Sequence, residues 1–121
     1  MLQYVQGNLP EETCGLLAGL KNTSTCVYPI VNELHSPTRF RMEPQQQLNA
    51  LLDIDQKGWD LLAIYHSHPH GPELPSETDI LEHYYPDTFC LIWSFGDSGW
   101  ICRAFQIQNG ILAHIEVRYV E

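Results

Sequence analysis

His66, His68 and Asp79 carry the clearest chemical signal in this chain. On an extended strand, alternate side chains share a face, so His66 and His68 point one way and Ser67 the other. The loop from Pro69 to Pro75 holds three prolines and Gly71, which makes it stiff enough to return the chain to a defined place. Asp79, in the first turn of a helix beyond that loop, can then add an oxygen to the two nitrogens. Two imidazoles and one carboxylate leave a fourth tetrahedral position for water, the feature that separates catalytic from structural zinc.

Each fragment also has a plainer reading. Paired histidines occur on solvated strand faces, and Ser76-x-x-Asp79 is a helix-capping pattern in which the aspartate favours the positive helix end. The two readings are compatible, because capping occupies Ser76 and one oxygen of Asp79 and leaves room for a ligand role. His70 lies where Pro69 and Gly71 break the strand and is expected to be exposed. His83 follows Asp79 by one helical turn but sits farther from the loop. It is read, like His35 and His114, as a surface or packing residue.

Hydrolysis by an activated water needs a base, and carboxylates are the usual choice. Glu11 and Glu12 both stand just before "TCGLLAG", whose apolar character predicts a strand at the centre of a sheet. Either could lie beside the metal, although an acid before a strand is also often merely solvated.

The elements that must position these groups alternate along the chain. Thr13–Leu20 and Thr25–Leu34 read as neighbouring strands across a polar Lys-Asn-Thr-Ser turn, and Arg39–Met42 as a short strand with Phe40 and Met42 on one face. From Pro44 the spacing of Leu48, Leu51 and Leu52 predicts an amphipathic helix that Gly58 closes. Leu61–His68 is apolar nearly throughout, as a strand covered on both faces would be. Ser76 opens a second helix whose stripe, Ile80, Leu81, Tyr84 and Tyr85, ends at Pro86. "TFCLIWSF", "WICRAFQI" and "ILAHIEVRYV" read as three strands of an antiparallel meander, the last two joined at Asn109-Gly110. The result is a mixed α/β fold, a mostly antiparallel sheet flanked by helices, in one domain over residues 1–121.

Composition narrows the partners. Fifteen acidic residues against six basic ones give a net charge of −9, with no Lys/Arg cluster to neutralise phosphates, so nucleic acid is not expected. Apolar runs such as Leu61–Ile64 fall far short of the roughly 20 residues that span a bilayer, and no charged-then-apolar leader follows Met1, so neither membrane nor export is expected. Cys14, Cys26, Cys90 and Cys102 form no Cys-x-x-Cys pair and read as free thiols of a reducing cytoplasm.

Taken together, Glu12-Thr-Cys-Gly15, His66-Ser-His68-Pro69 and Ser76-Glu-Thr-Asp79 resemble the signature of the JAMM/MPN+ metalloproteases, with ten residues between His68 and Asp79. Asn32 to Leu48 resembles the connecting segment of short prokaryotic members. The resemblance implies a cytidine-deaminase-like (JAB/MPN) fold and a zinc-dependent peptidase or isopeptidase with one zinc per chain. By residue, it implies His66, His68 and Asp79 as metal ligands, Glu12 rather than Glu11 as general base and later proton donor, and Ser76 as oxyanion stabiliser. The implied substrate is the C-terminal tail of a ubiquitin-like or sulfur-carrier protein, added as a strand beside a sheet edge. A homodimer is compatible with the resemblance. Only eleven residues precede Glu12, so the longer N-terminal strand and helix of the family are expected to be curtailed. The alternatives are a non-catalytic MPN-type scaffold, disfavoured because no ligand is missing, and a zinc deaminase, disfavoured because no Pro-Cys-x-x-Cys element is present.

Overall fold

The structure is a computed structural model that describes residues 1–81, 83, 87–97, 99–108 and 110–117. A short helix α1 (Leu2–Gly7) precedes a hairpin of β1 (Cys14–Leu20) and β2 (Thr23–Ile30). Lys21 and Asn22 turn the hairpin with φ of 52° and 63°, the positive pair that matches strand twist. Thr23 and Ser24 therefore belong to β2 rather than to the turn.

The first long helix, α2 (Pro44–Gln56), begins where Glu43 accepts from the Gln45 and Gln46 N–H groups at 3.1 and 2.7 Å. It ends before Gly58, whose φ of +69° breaks the helical run. Its buried face differs from the expected one. Ala50 and Ile54 are buried and Leu51 packs beside them, whereas Leu48 and Leu52 are 50% and 59% exposed. The side that faces the sheet is the one on which Ala50 and Ile54 pack against it.

The histidine-bearing strand β3 (Asp60–His68) leads through the five-residue helix α3 (Glu77–Leu81) to β4 (Phe89–Gly96). Then come β5 (Gly99–Gln108) and β6 (Ile111–Ile115), each antiparallel to its predecessor. The sheet order is β2-β1-β3-β4-β5-β6, with β3 and β4 parallel. This is the mixed, mostly antiparallel sheet expected, with β3 at its centre. Gln108 pairs with Ile111, which leaves a two-residue connection whose Gly110 has φ +76°. Asn109 of that turn lies outside the described residues, as do Tyr84, Tyr85, Pro86 and the end of the last expected strand.

Two expected strands are shorter or absent. The second stops at Ile30, and Arg39–Met42 contributes only an isolated bridge between Asn32 and Met42. The reason is local: Asn32 accepts from Arg41 N–H and donates to Arg39 carbonyl, so a side chain takes the bonds a neighbouring strand would need. Met42 is nonetheless buried, with Phe40 packed against the same cluster.

The sheet buries two faces. On one, Leu17, Ala63, Tyr65, Leu91 and Trp93 pack with Val5 of α1. On the other, Cys14, Leu16 and Ala18 pack under α2, and Cys90, Ile92 and Phe105 pack under Ile80 of α3. His66 pairs across the sheet with Cys14 on one side and Ile92 on the other. It therefore sits between the two clusters of the second face.

Gly15 shows how tightly the centre is packed. A Cβ there would meet the Tyr28 carbonyl and the Tyr65 ring at 2.5 Å, and both are held by the strands beside it. A Gly15→Ala chain is expected to lose about 1–3 kcal/mol by overpacking, read as a lower thermal midpoint by circular dichroism.

Candidate metal centre

β3 ends at the site. His66 and His68 project to one face, and Ser67, fully buried, projects to the other. Ser67 N–H donates to the Thr13 carbonyl at 2.9 Å, and Thr13 N–H donates back to Ser67 Oγ at 2.8 Å. The hydroxyl thus closes the β1–β3 ladder at its last rung, directly beside Glu12.

The stiff loop brings α3 back over β3. Ser76 Oγ accepts from Asp79 N–H at 3.0 Å, and Ser76 N–H donates to Asp79 Oδ2 at 2.8 Å, a reciprocal cap. His66 Nε2, His68 Nε2 and Asp79 Oδ2 then stand 3.1 Å from one another, all three pairs alike. Capping and convergence use the same oxygen of Asp79, not the separate oxygens the sequence suggested.

The protons at this triangle are limited. His68 Nδ1 lies 2.7 Å from the Pro72 carbonyl, which only accepts, so Nδ1 carries the hydrogen and neutral His68 presents a lone pair at Nε2. His66 has no partner for Nδ1 among the described residues, and Phe40 orients its ring instead, stacked at 4.5 Å and 24°. Three lone-pair atoms at this spacing repel one another unless a proton or a cation lies between them. The separation is close to the roughly 3.3 Å between ligands of a tetrahedral ion with bonds of about 2.0 Å. The donor set therefore fits a cation of the zinc type.

Glu12 completes the cluster. One of its carboxylate oxygens and a ring nitrogen of each histidine lie within 4.8 Å of one another. Glu12 is 3% exposed and its Oε1 has no hydrogen-bond partner among the described residues. Glu11, by contrast, meets His35 at the surface. The structure thus brings Glu12, His66, His68 and Asp79 together, with Ser76 bonded to Asp79. His70 is exposed as expected. His83 holds the Thr88 carbonyl and lines the neighbouring cavity. That cavity, of about 460 Å³, is walled by Arg39, Phe40, Arg41 and Met42 and reaches His66 and Asp79.

Burial dominates the electrostatics. It lowers the His66 pKa against the pull of Asp79, which keeps that imidazole neutral and able to bind a cation. Burial also disfavours charge on His68, but the Asp79 and Pro72 hydrogen bonds outweigh it and raise that pKa. Asp79 stays well below the carboxylate range, because its histidine bonds overcome desolvation. Desolvation pushes the Glu12 pKa up to about 8, with His68 pulling it down and Asp79 pushing it further up.

Residues 1–107 match the family model of the prokaryotic homologs of the JAB domain. The chain belongs to that family. This bears out the resemblance to JAMM/MPN+ proteins of short prokaryotic type. The chain is similar to the probable TtuB-protein conjugate cleaving protease of Thermus thermophilus, with 40% identity over 84% of this chain and 65% of that protein. It is 39% identical to the desampylase of Pyrococcus furiosus over 57% of this chain and 49% of that one. It thus spans about half to two thirds of these relatives. The fold resembles a solution structure of a Desulfitobacterium hafniense protein with TM-score 0.84 and 35% identity, covering 96% of this chain and 83% of that one.

Phe40, the Pro72 carbonyl and Asn32 are parts of the site that sequence reasoning did not reach. Only the alternation of Phe40 with Met42 hinted that Phe40 faces inward.

The Glu12 carboxyl makes the metal-free protein sensitive to pH. Its folded pKa, about 8, lies above the ordinary value of 4.5, so between these values the folded state holds a proton that the unfolded state has lost. Its contribution is full below the unfolded pKa and is lost as pH rises through the folded one. In chelator, the native chain is expected to lose more stability between roughly pH 5 and pH 8 than Glu12→Gln does. Urea unfolding at the two pH values measures this, and equal losses would contradict it.

Proposed function

We propose that this chain is a zinc-dependent peptidase or isopeptidase that hydrolyses an amide bond at the C-terminal tail of a ubiquitin-like or sulfur-carrier protein. The observation that carries this reading is the 3.1 Å triangle of His66, His68 and Asp79 facing the buried Glu12 carboxyl, whose Oε1 has no hydrogen-bond partner among the described residues. The printed names of the relatives, a conjugate-cleaving protease and a desampylase, support the same substrate class. One zinc ion held by His66, His68 and Asp79 would supply Lewis-acid chemistry, acidifying a water and polarising the scissile carbonyl.

The remaining work falls to the protein. Glu12 takes a proton from the attacking water and returns it to the amine nitrogen as the C–N bond breaks, so one water is consumed and two termini appear. An elevated carboxyl pKa suits both halves of that transfer. Ser76 Oγ already accepts from Asp79 N–H, which leaves its O–H to donate to the oxyanion. The cavity beside His66, lined by Phe40 and Met42, is where the tail is seated. All four cysteines are free thiols, which suits a cytoplasmic enzyme, and no described helix is long and apolar enough to cross a membrane.

Zinc-loaded protein incubated with a carrier extended beyond its Gly-Gly end should release the extension, followed by mass spectrometry, and Glu12→Gln should not. Equal, negligible release by both proteins would sink the reading. Ser76→Ala should retain its zinc while kcat falls by about 10²–10³-fold, as when one oxyanion donor is removed.

A further inference from the structure

Both backbone groups of Glu12 are held by one loop. Its N–H donates to the Ser36 carbonyl at 2.8 Å, and its carbonyl accepts from Asn32 Nδ2 at 3.1 Å. Asn32 is buried at 6% exposure and spends its whole hydrogen-bonding capacity. The second Nδ2 hydrogen goes to the Arg39 carbonyl at 3.0 Å, and Oδ1 accepts from Leu34 and Arg41 N–H, each at 3.1 Å. Two donors and two acceptors at this reach are what an asparagine amide offers. Aspartate lacks the donors, and glutamine is one methylene longer.

The same loop forms the cavity wall. Leu34, Arg39, Phe40 and Arg41 line the space beside His66, and Asn32 bonds to the backbone of three of these four residues. Backbone pairing of Glu33 with Arg41 and of Glu43 with Val31 closes the loop into one unit.

We propose that Asn32 is a positioning residue: it fixes the Glu12 backbone to the cavity wall, so that a tail seated on that wall is registered to the base. This deepens the proposed hydrolase function and rests on it for its kinetic consequence. The anchoring of Glu12 by Asn32 does not.

Asn32→Asp is the sharpest test, since it keeps the shape and the two accepting bonds while turning both donors into acceptors that face carbonyls. Zinc-loaded Asn32→Asp and Asn32→Ala, each checked for native circular dichroism and zinc content, are compared with wild type on the extended carrier. The expected result is a kcat lower by about 10²-fold, as a misplacement of about 1 Å produces, with KM changed far less. Amide hydrogen exchange supplies the second readout. Protection of the Glu12 and Thr13 amides should fall in both variants while the β4 and β5 amides keep theirs. A residue that only stabilised the fold would lower protection everywhere and leave kcat of the folded fraction unchanged, and that pattern overturns the proposal. Unchanged protection at Glu12 overturns it as well, even if wild type cleaves no carrier. Absence of wild-type cleavage alone is a failure of the hydrolase reading, and the exchange data then decide the anchoring.

Discussion

Three atoms with lone pairs, two imidazole nitrogens and a carboxylate oxygen, are held 3.1 Å apart in a buried corner of the sheet. Such an arrangement is electrostatically costly unless something positive lies between them. Much of the surrounding structure serves to enforce it. The Pro72 carbonyl fixes the hydrogen on the far side of His68, Phe40 stacks on His66, and the Ser76 cap turns Asp79 inward. None of these partners brings a positive charge: the Pro72 carbonyl accepts, Phe40 is apolar, and the Ser76 N–H that donates to Asp79 Oδ2 is neutral.

The fold explains why the corner lies where it does. β3 is central, flanked by antiparallel β1 and parallel β4. The crossover through α3 therefore passes above the end of β3, where carboxyl ends of parallel strands collect ligands. On the other flank, β1 begins beside that end, and Thr13 is tied to Ser67 through a side chain. The proposed base and the proposed metal ligands thus come from three segments that meet at one end of the central strand, and the cavity-wall loop holds the Glu12 backbone from outside.

Much of this was legible in sequence. Alternation placed His66 and His68 on one face because β3 is regular to its last residue, and the capping pattern located Asp79 because local hydrogen bonds determine a helix start. The choice of Glu12 over Glu11 came from resemblance, and its physical basis became visible only when Glu11 was found paired with His35 at the surface. The failures share one cause. Arg39–Met42 looked like a strand, yet Asn32 takes its backbone bonds, and no local pattern reveals a side chain that satisfies backbone several residues away. The α2 stripe misled for a related reason: Leu48 and Leu52 have helical spacing, but the side facing the sheet is set by tertiary packing of Ala50 and Ile54.

X-ray absorption at the zinc edge addresses the central claim directly. The account predicts one zinc per chain with about four nitrogen or oxygen neighbours at roughly 2.0–2.1 Å, imidazole outer-shell scattering from two histidines, and no sulfur. Loss of the signal in Asp79→Asn would agree with it. A sulfur shell from nearby Cys14, or a chain that takes up no zinc with His66, His68 and Asp79 intact, would contradict it.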